Sequence, residues 1–259
     1  MTRNYKGKEL LGLSGKTAVI SGSTRGVGFA AAQALASAGA NVVLNYIRNE
    51  GRALTALNTL TAAGASAILV KADVSDASGA VELISRAEAE FGQVDIIVNN
   101  AHGKIIRTPF VQSDWQTHQD HIDGILKAAF QLTHAAIGGM KDRGWGRVVN
   151  IGNDMIIDPV TGYSAYCSAM ASLIGFTRNL AAEAGPWGVT VNLVSPGFVM
   201  TEEAPNTTEA VRSAITDAAP LKRLATPEDI AGAVVFFCSE LGRFVTGASL
   251  PVNGGKAMF

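Results

Sequence analysis

The chain has 259 residues, which at roughly 150 residues per domain suits one large α/β domain as well as two small ones. Apolar residues make up 47% and charged residues 17%, enough to bury a sizeable core and to exclude intrinsic disorder. Lys+Arg 21 against Asp+Glu 22 leaves −1, which argues against a nucleic-acid binder, and no apolar run approaches the ~18 residues of a membrane span.

In chain order, residues 1–16 carry Arg3, Lys6, Lys8 and Lys16 with no long apolar stretch, so no secretory leader is expected. The two cysteines, Cys167 and Cys238, cannot build a disulfide framework, which favours a reduced, cytoplasmic setting. Strands are expected at 17–21, 42–45, 67–71, 95–99, 147–151, 190–194 and 249–252. Several are continuously apolar, as in strands covered on both faces. Ala-rich helices are expected at 27–37, 50–62, 77–91, 114–140, 164–184 and 227–239. This alternation predicts a single doubly wound α/β domain over 1–259, with a parallel sheet of about seven strands. Gly39, Gly64, Gly92 and Gly188 stand where helix C-caps belong. Residues 201–220 follow the Pro196 and Gly197 turn without a strand signal and are expected to form a mobile substrate lid.

The first strand runs into Ser21-Gly22-Ser23-Thr24-Arg25-Gly26-Val27-Gly28 and then a helix. Glycines there let the backbone approach a phosphate, and the helix N-terminus offers free N–H groups and a positive dipole end. The spacing G-x-x-x-G-x-G resembles the short-chain dehydrogenase/reductase family, and the resemblance extends over about 13–255. It is carried further by Asp73-Val74, Asn99-Asn100-Ala101, Pro196-Gly197-Phe198-Val199-Met200-Thr201, Pro227-Glu228-Asp229-Ile230 and Val252-Asn253-Gly254-Gly255. The subtype it is most similar to is the 3-oxoacyl-acyl-carrier-protein reductases. The resemblance implies a Rossmann-type fold and a nicotinamide dinucleotide. It implies cofactor contacts at Gly22, Ser23, Thr24, Arg25, Gly26, Val27, Gly28, Arg48, Asn49, Asp73, Val74, Asn99, Ala101, Ile151, Pro196, Gly197, Val199 and Thr201. The second strand ends Leu44-Asn45-Tyr46-Ile47-Arg48, with no acid to hold a ribose 2′-hydroxyl. Arg25 and Arg48 can instead meet a 2′-phosphate, so NADPH is expected over NADH.

At the chemical end the family uses a Tyr, a Lys four residues later, a Ser and an Asn. Tyr166 matches the Tyr. The Lys position is Met170, the Ser position Asn153 and the Asn position Ile125. Tyr163, seven before Met170, suits the register of the related enoyl reductases but lacks the same Lys. Without that cation roughly 3–4 kcal/mol of support for a phenolate is lost. Asn153 can still donate to a carbonyl oxygen. His102, in the loop after the fourth strand, is a candidate replacement acid. Asp154 is expected to point away from the chemistry. His118 and His121 form an i,i+3 pair, expected on a solvated or interface face. No third ligand accompanies them, and no metal is expected. Cys167 is expected to pack.

Three functions follow. The first is an atypical NADPH-dependent ketoreductase-like oxidoreductase for a small-molecule carbonyl substrate, with Tyr166, Asn153 and His102 in its site. The second is a catalytically inactive NADP(H)-binding subunit paired with an active paralogue. The third is a non-redox isomerase, dehydratase or cyclase on the same cleft. The resemblance also implies a homotetramer, or a hetero-oligomer with a paralogue, through the two long helices.

Overall fold

β-Branched and other apolar residues cluster where the strands form. The computed structural model describes residues 10–202 and 207–258. Glu203 and Pro205 of the expected lid, and the first nine residues of the basic opening segment, lie outside the described residues. The strands are β1 (Thr17–Ile20), β2 (Asn41–Tyr46), β3 (Ala67–Lys71), β4 (Ile96–Asn99), β5 (Gly146–Ile151), β6 (Val189–Pro196) and β7 (Ser249–Val252). All pair in parallel in the order β3-β2-β1-β4-β5-β6-β7. This is the doubly wound Rossmann-type sheet expected from the alternation.

The helices are α1 (Gly26–Ser37), α2 (Glu50–Ala62), α3 (Ala77–Phe91), α4 (Trp115–Ile122), α5 (Ala128–Arg143), α6 (Ser164–Ala184), α7 (Glu209–Ala218) and α8 (Pro227–Cys238). Neighbouring strand residues serve opposite faces. Ile20, Leu44 and Ile96 pack with Leu35 of α1 and Phe237 of α8. Val19, Val43 and Ile97 pack with Leu83 of α3 and Leu132 of α5. Both faces are therefore core, which is why the strands read as unbroken apolar runs.

Two expectations change. The helix expected over 114–140 is α4 and α5 joined by a π-helical turn at Asp123–Lys127. Gly124 stands in that turn, and a Cβ there would lie 3.0 Å from the backbone N of Gly103. The close approach of the β4 loop thus requires the glycine, and the wider turn sets Ile125 into the interior. The 201–220 stretch also carries regular structure. Thr208 caps α7 by accepting from Val211 N, yet α7 buries no side chain.

The chain leaves β1 toward β2 and later returns to β4 on β1's other side. Ligands bind in such sheets beyond the C-terminal strand ends at this switch. The loops after β1, β4, β5 and β6 meet there. A third apolar cluster flanks them, formed by Ile125, Ala129, Tyr166, Ala169, Met170, Leu173 and Leu193.

Candidate active site

The loop between β1 and α1 is held by side chains on neighbouring strands. Asn45 Oδ1 accepts from Gly22 N at 3.1 Å, and Ser23 Oγ accepts from Asn45 N at 2.9 Å. Ser21 Oγ accepts from the backbone of Asn100 and Ala101 at 3.0 and 2.9 Å. Asn100 Nδ2 donates to the carbonyls of Ser21 and Gly22 at 3.0 and 3.1 Å. These contacts shape a tight cradle. A Cβ on Gly28 would fall 2.5 Å from Asn100 Nδ2 and 2.7 Å from the Gly22 carbonyl. One on Gly22 would fall 3.1 Å from Ala101 Cα.

Arg25 is the extended N-cap of α1 and makes no side-chain cap, so the N–H groups of Gly26, Val27 and Gly28 face the crevice without helical acceptors. Ser23 is buried and Thr24 half-buried in the same loop. The Thr201 methyl would touch a Cβ on Gly26 at 3.4 Å, which roots the segment after β6 on this loop. This cradle fits a dinucleotide pyrophosphate.

The remaining expected cofactor residues surround the same strand ends. Asp73 Oδ1 accepts from Ser75 N and Oγ, and Val74 is buried beside it. Asn99 Nδ2 donates to Thr133 Oγ1 at 2.9 Å and to Asn150 Oδ1 at 2.8 Å. Asn99 Oδ1 is buried without a partner among the described residues. A ribose hydroxyl would satisfy it, where an unmet acceptor costs about 1–3 kcal/mol. Ile151 ends β5, and Pro196 ends β6 with Gly197 following it. Val199 forms an isolated bridge with Ala225.

At the far end, Arg48 and Asn49 lie between β2 and α2, both exposed. Asn49 Oδ1 is used in capping α2, accepting from Arg52 N at 3.0 Å. The acid nearest the β2 tip, Glu50, is engaged by the Tyr46 hydroxyl. Burial holds the Arg25 guanidinium below its ordinary value, Arg52 adds to that, and Glu202 opposes it. The sequence reading did not single out Arg52. Its signal was the Arg48-x-x-x-Arg52 spacing, one helical turn.

Tyr166 lies on the first turn of α6, 4% exposed, in the cluster with Ile125 and Met170. Asn153, extended at the end of β5, accepts from Met155 N at 2.7 Å through Oδ1. Its side chain also hydrogen-bonds the Tyr166 hydroxyl. With Oδ1 taken, the amide N–H is the donor. Burial pushes the Tyr166 phenol well above its usual value, Cys167 adds to this, and the Asn153 hydrogen bond only partly opposes it. Tyr166 is therefore held as a neutral phenol. Asn153 and Tyr166 are thus in contact.

His102 stays apart on the exposed loop, its Nδ1 2.9 Å from the Gly103 carbonyl. His121 corrects its expectation. Its ring is 5% exposed and packs edge-on to Tyr166, centroids 6.0 Å apart at 69°. Nδ1 faces the Thr117 carbonyl at 2.7 Å and Nε2 accepts from Ile106 N at 3.4 Å, so Nδ1 carries the proton. The i,i+3 spacing could not separate a solvated face from one turned inward by the π turn. His118 is stacked on Trp115 instead, centroids 6.0 Å apart.

Asp154 packs under the turn after β6. It is 4% exposed, and a Cβ on Gly197 would stand 3.2 Å from its Oδ2. Burial raises its carboxyl, against the nearby Lys256 charge and the Asn253 hydrogen bond. Cys167 is partly buried in the Tyr166 cluster, as packing requires. Among the described residues no group of three His, Cys, Asp or Glu is placed to hold a metal.

The profile described as enoyl-(acyl carrier protein) reductase matches residues 22–257. The chain is 38% identical to nodulation protein G of Azospirillum brasilense, covering 94% of this chain and 98% of that one. It is 36% identical to the 3-oxoacyl-(acyl-carrier-protein) reductase FabG of Pseudomonas aeruginosa, covering 96% and 100%. Among solved structures it superposes on a putative gluconate dehydrogenase from Agrobacterium tumefaciens with a TM-score of 0.90, at 31% identity over 95% and 98% of the two chains. A short-chain dehydrogenase/reductase from Serratia marcescens gives a TM-score of 0.89, at 32% identity over 95% and 99%.

Proposed function

The chain belongs to the short-chain dehydrogenase/reductase family, and on that premise we propose that it is an NADPH-dependent reductase of a small carbonyl substrate that works with a neutral tyrosine. The observation that carries this reading is the pairing of an intact phosphate cradle with a Tyr166 hydroxyl presented by Asn153.

NADPH is favoured because the Glu50 carboxylate after β2 is engaged by Tyr46, while Arg25 and Arg52 lie within Coulombic range of each other. A 2′-phosphate between them would offset that repulsion, with Arg48 beside it. The bound dinucleotide supplies hydride. The chain's own part is to hold the carbonyl oxygen and deliver a proton. Tyr166 donates its O–H to that oxygen, and the Asn153 amide supports the same hydroxyl from behind. An alkoxide is more basic than even a raised phenol, so proton transfer toward product is downhill. The reverse reaction needs a phenolate base, which this site disfavours. Ile125 and Met170 leave Tyr166 without a polar relay, so recharging falls to solvent and to His102 at the exposed mouth. Residues 201–220, rooted by Thr201 and carrying α7, serve as the substrate lid.

A non-catalytic subunit is the second reading, supported by the apolar packing of Ile125 and Met170 around Tyr166. One experiment separates the two. The purified chain alone is titrated with NADPH and NADH by calorimetry, then mixed with a ketone panel while nicotinamide absorbance is followed. Saturable NADPH-selective binding with turnover supports the reductase. Binding without turnover supports the subunit. No binding of either nucleotide overturns both.

A further inference from the structure

The β4–α4 loop bears a cation that the Tyr166 chemistry does not use. Arg107 is exposed, but it is not loose. Its Nε donates to the Thr161 carbonyl at 3.2 Å, and its guanidinium carbon lies 5.5 Å from the centre of the Tyr163 ring. Its stem crosses Gly162, where a Cβ would sit 3.0 Å from Arg107 Cγ, and Gly162 has φ +87. The loop is fastened on either side of Arg107. Ile106 N donates to His121 Nε2, and Thr108 N donates to the Gly162 carbonyl at 2.8 Å. The guanidinium is thereby set one aromatic ring beyond the reacting group, since the Tyr163 and Tyr166 rings are 6.4 Å apart.

Among the described residues only Nε is engaged, which leaves the planar fork of terminal N–H groups open. No carboxylate among the described residues pairs with it. Lys104 stands three residues earlier on the same exposed loop. On the facing loop Asp158 is paired with Lys256, and Asp154 is buried. Lys104 and Arg107 thus present positive charge at this mouth. A pre-positioned guanidinium fork is suited to planar oxyanions.

We propose that Arg107 anchors an oxyanion of the substrate, a carboxylate or a phosphate, while the carbonyl rests at Tyr166 and Asn153. This assignment rests on the reductase reading for what lies at the carbonyl end, but the anion contact can be tested without turnover. Calorimetry on the full chain would compare levulinate, methyl levulinate and inorganic phosphate.

The wild type should bind an oxyanion probe about tenfold more tightly than the uncharged ester, and less so at high salt. Arg107→Gln keeps the stem over Gly162 and should erase the difference while leaving ester binding unchanged. Arg107→Lys should restore part of it. Preference for levulinate identifies a carboxylate site, and preference for phosphate a phosphate site. Equal binding of acid and ester, no saturable binding of any probe, or an Arg107→Gln effect that falls equally on acid and ester overturns the proposal. Oxyanion selectivity without NADPH turnover would refute the reductase reading alone. Turnover without selectivity would refute the anion site alone.

Discussion

Met170 stands one turn after Tyr166 on α6, and the two side chains share one buried cluster, each 4% exposed. The position that would carry a cation beside the phenol carries a thioether instead. Met170→Lys by itself places an unpaired ammonium among Ile125, Leu173 and Leu193, so it should lower the melting temperature without raising activity. Combined with Ile125→Asn and Asn153→Ser, the ammonium gains polar company and Tyr166 can ionise. The triple variant should gain at least about tenfold in NADPH-dependent reduction of a 3-oxoacyl thioester. It should also gain in the oxidative direction, for which the parent's neutral phenol is a poor base. Absorbance assays in both directions check this, and a triple variant no more active than the parent would remove the electrostatic account of the site.

Asn153 has two tasks, with Oδ1 on Met155 N and the amide N–H on Tyr166. Asn153→Ala removes both. Loss of the cap on the short turn after β5 should cost about 1 kcal/mol of stability. Loss of the support behind Tyr166 should lower kcat by about ten- to a hundredfold. Asn153→Ser keeps a capping oxygen, so it should recover stability more fully than activity. Denaturant melts alongside kcat and KM separate the two effects.

Gly28→Ala tests the cradle. The new methyl must push Asn100 Nδ2 off the Ser21 and Gly22 carbonyls or move the loop itself. NADPH affinity should fall by at least about tenfold, because the N–H groups of α1 no longer converge on the pyrophosphate. Arg25→Ala should weaken NADPH by a similar factor and leave NADH nearly unchanged. Parallel calorimetric titrations with the two nucleotides decide both points.

Much of this was legible beforehand where one residue type has one physical reason to be there. The apolar runs at β1, β4 and β5 are buried on both faces, so periodicity and burial agree. The Gly22, Gly26 and Gly28 loop reads as a phosphate cradle because backbone approach demands glycine. The π turn at Asp123–Lys127 was not legible, because it depends on how closely Gly103 approaches Gly124, a contact between distant residues. For the same reason His121 could not be placed against Tyr166 from spacing. Helix α7 escaped although Val211 and Ile215 stand one turn apart, because the missing strand signal reads as a lid and the helix buries no side chain. The positions of Asp154 under Gly197 and of Arg107 over Gly162 are tertiary facts of the same kind.

The start of α8 gives a pH prediction independent of the cleft. Asp229 receives Arg223 through two bonds of 2.5 and 2.7 Å and accepts from Thr226 N at 2.8 Å, closing a capping box. The Arg223 hydrogen bond, then that from Thr226, pulls the Asp229 carboxyl down to about 2. A carboxyl depressed on folding contributes stability that is complete above its unfolded value and lost as pH falls through the folded one. The contribution should therefore hold at neutral pH and fade between about 4 and 2. Solvent reaches this pair, so its size is that of a helix cap, roughly 1 kcal/mol, rather than that of a buried ion pair. Asp229→Asn should lower stability by that amount at neutral pH and match the parent near pH 2. Since α8 packs its Val234 and Phe237 against the β1 side of the sheet, the change should appear in the global unfolding transition. Urea melts of both proteins across that range provide the check, and a pH-independent difference would mean that the Asp229 charge contributes nothing.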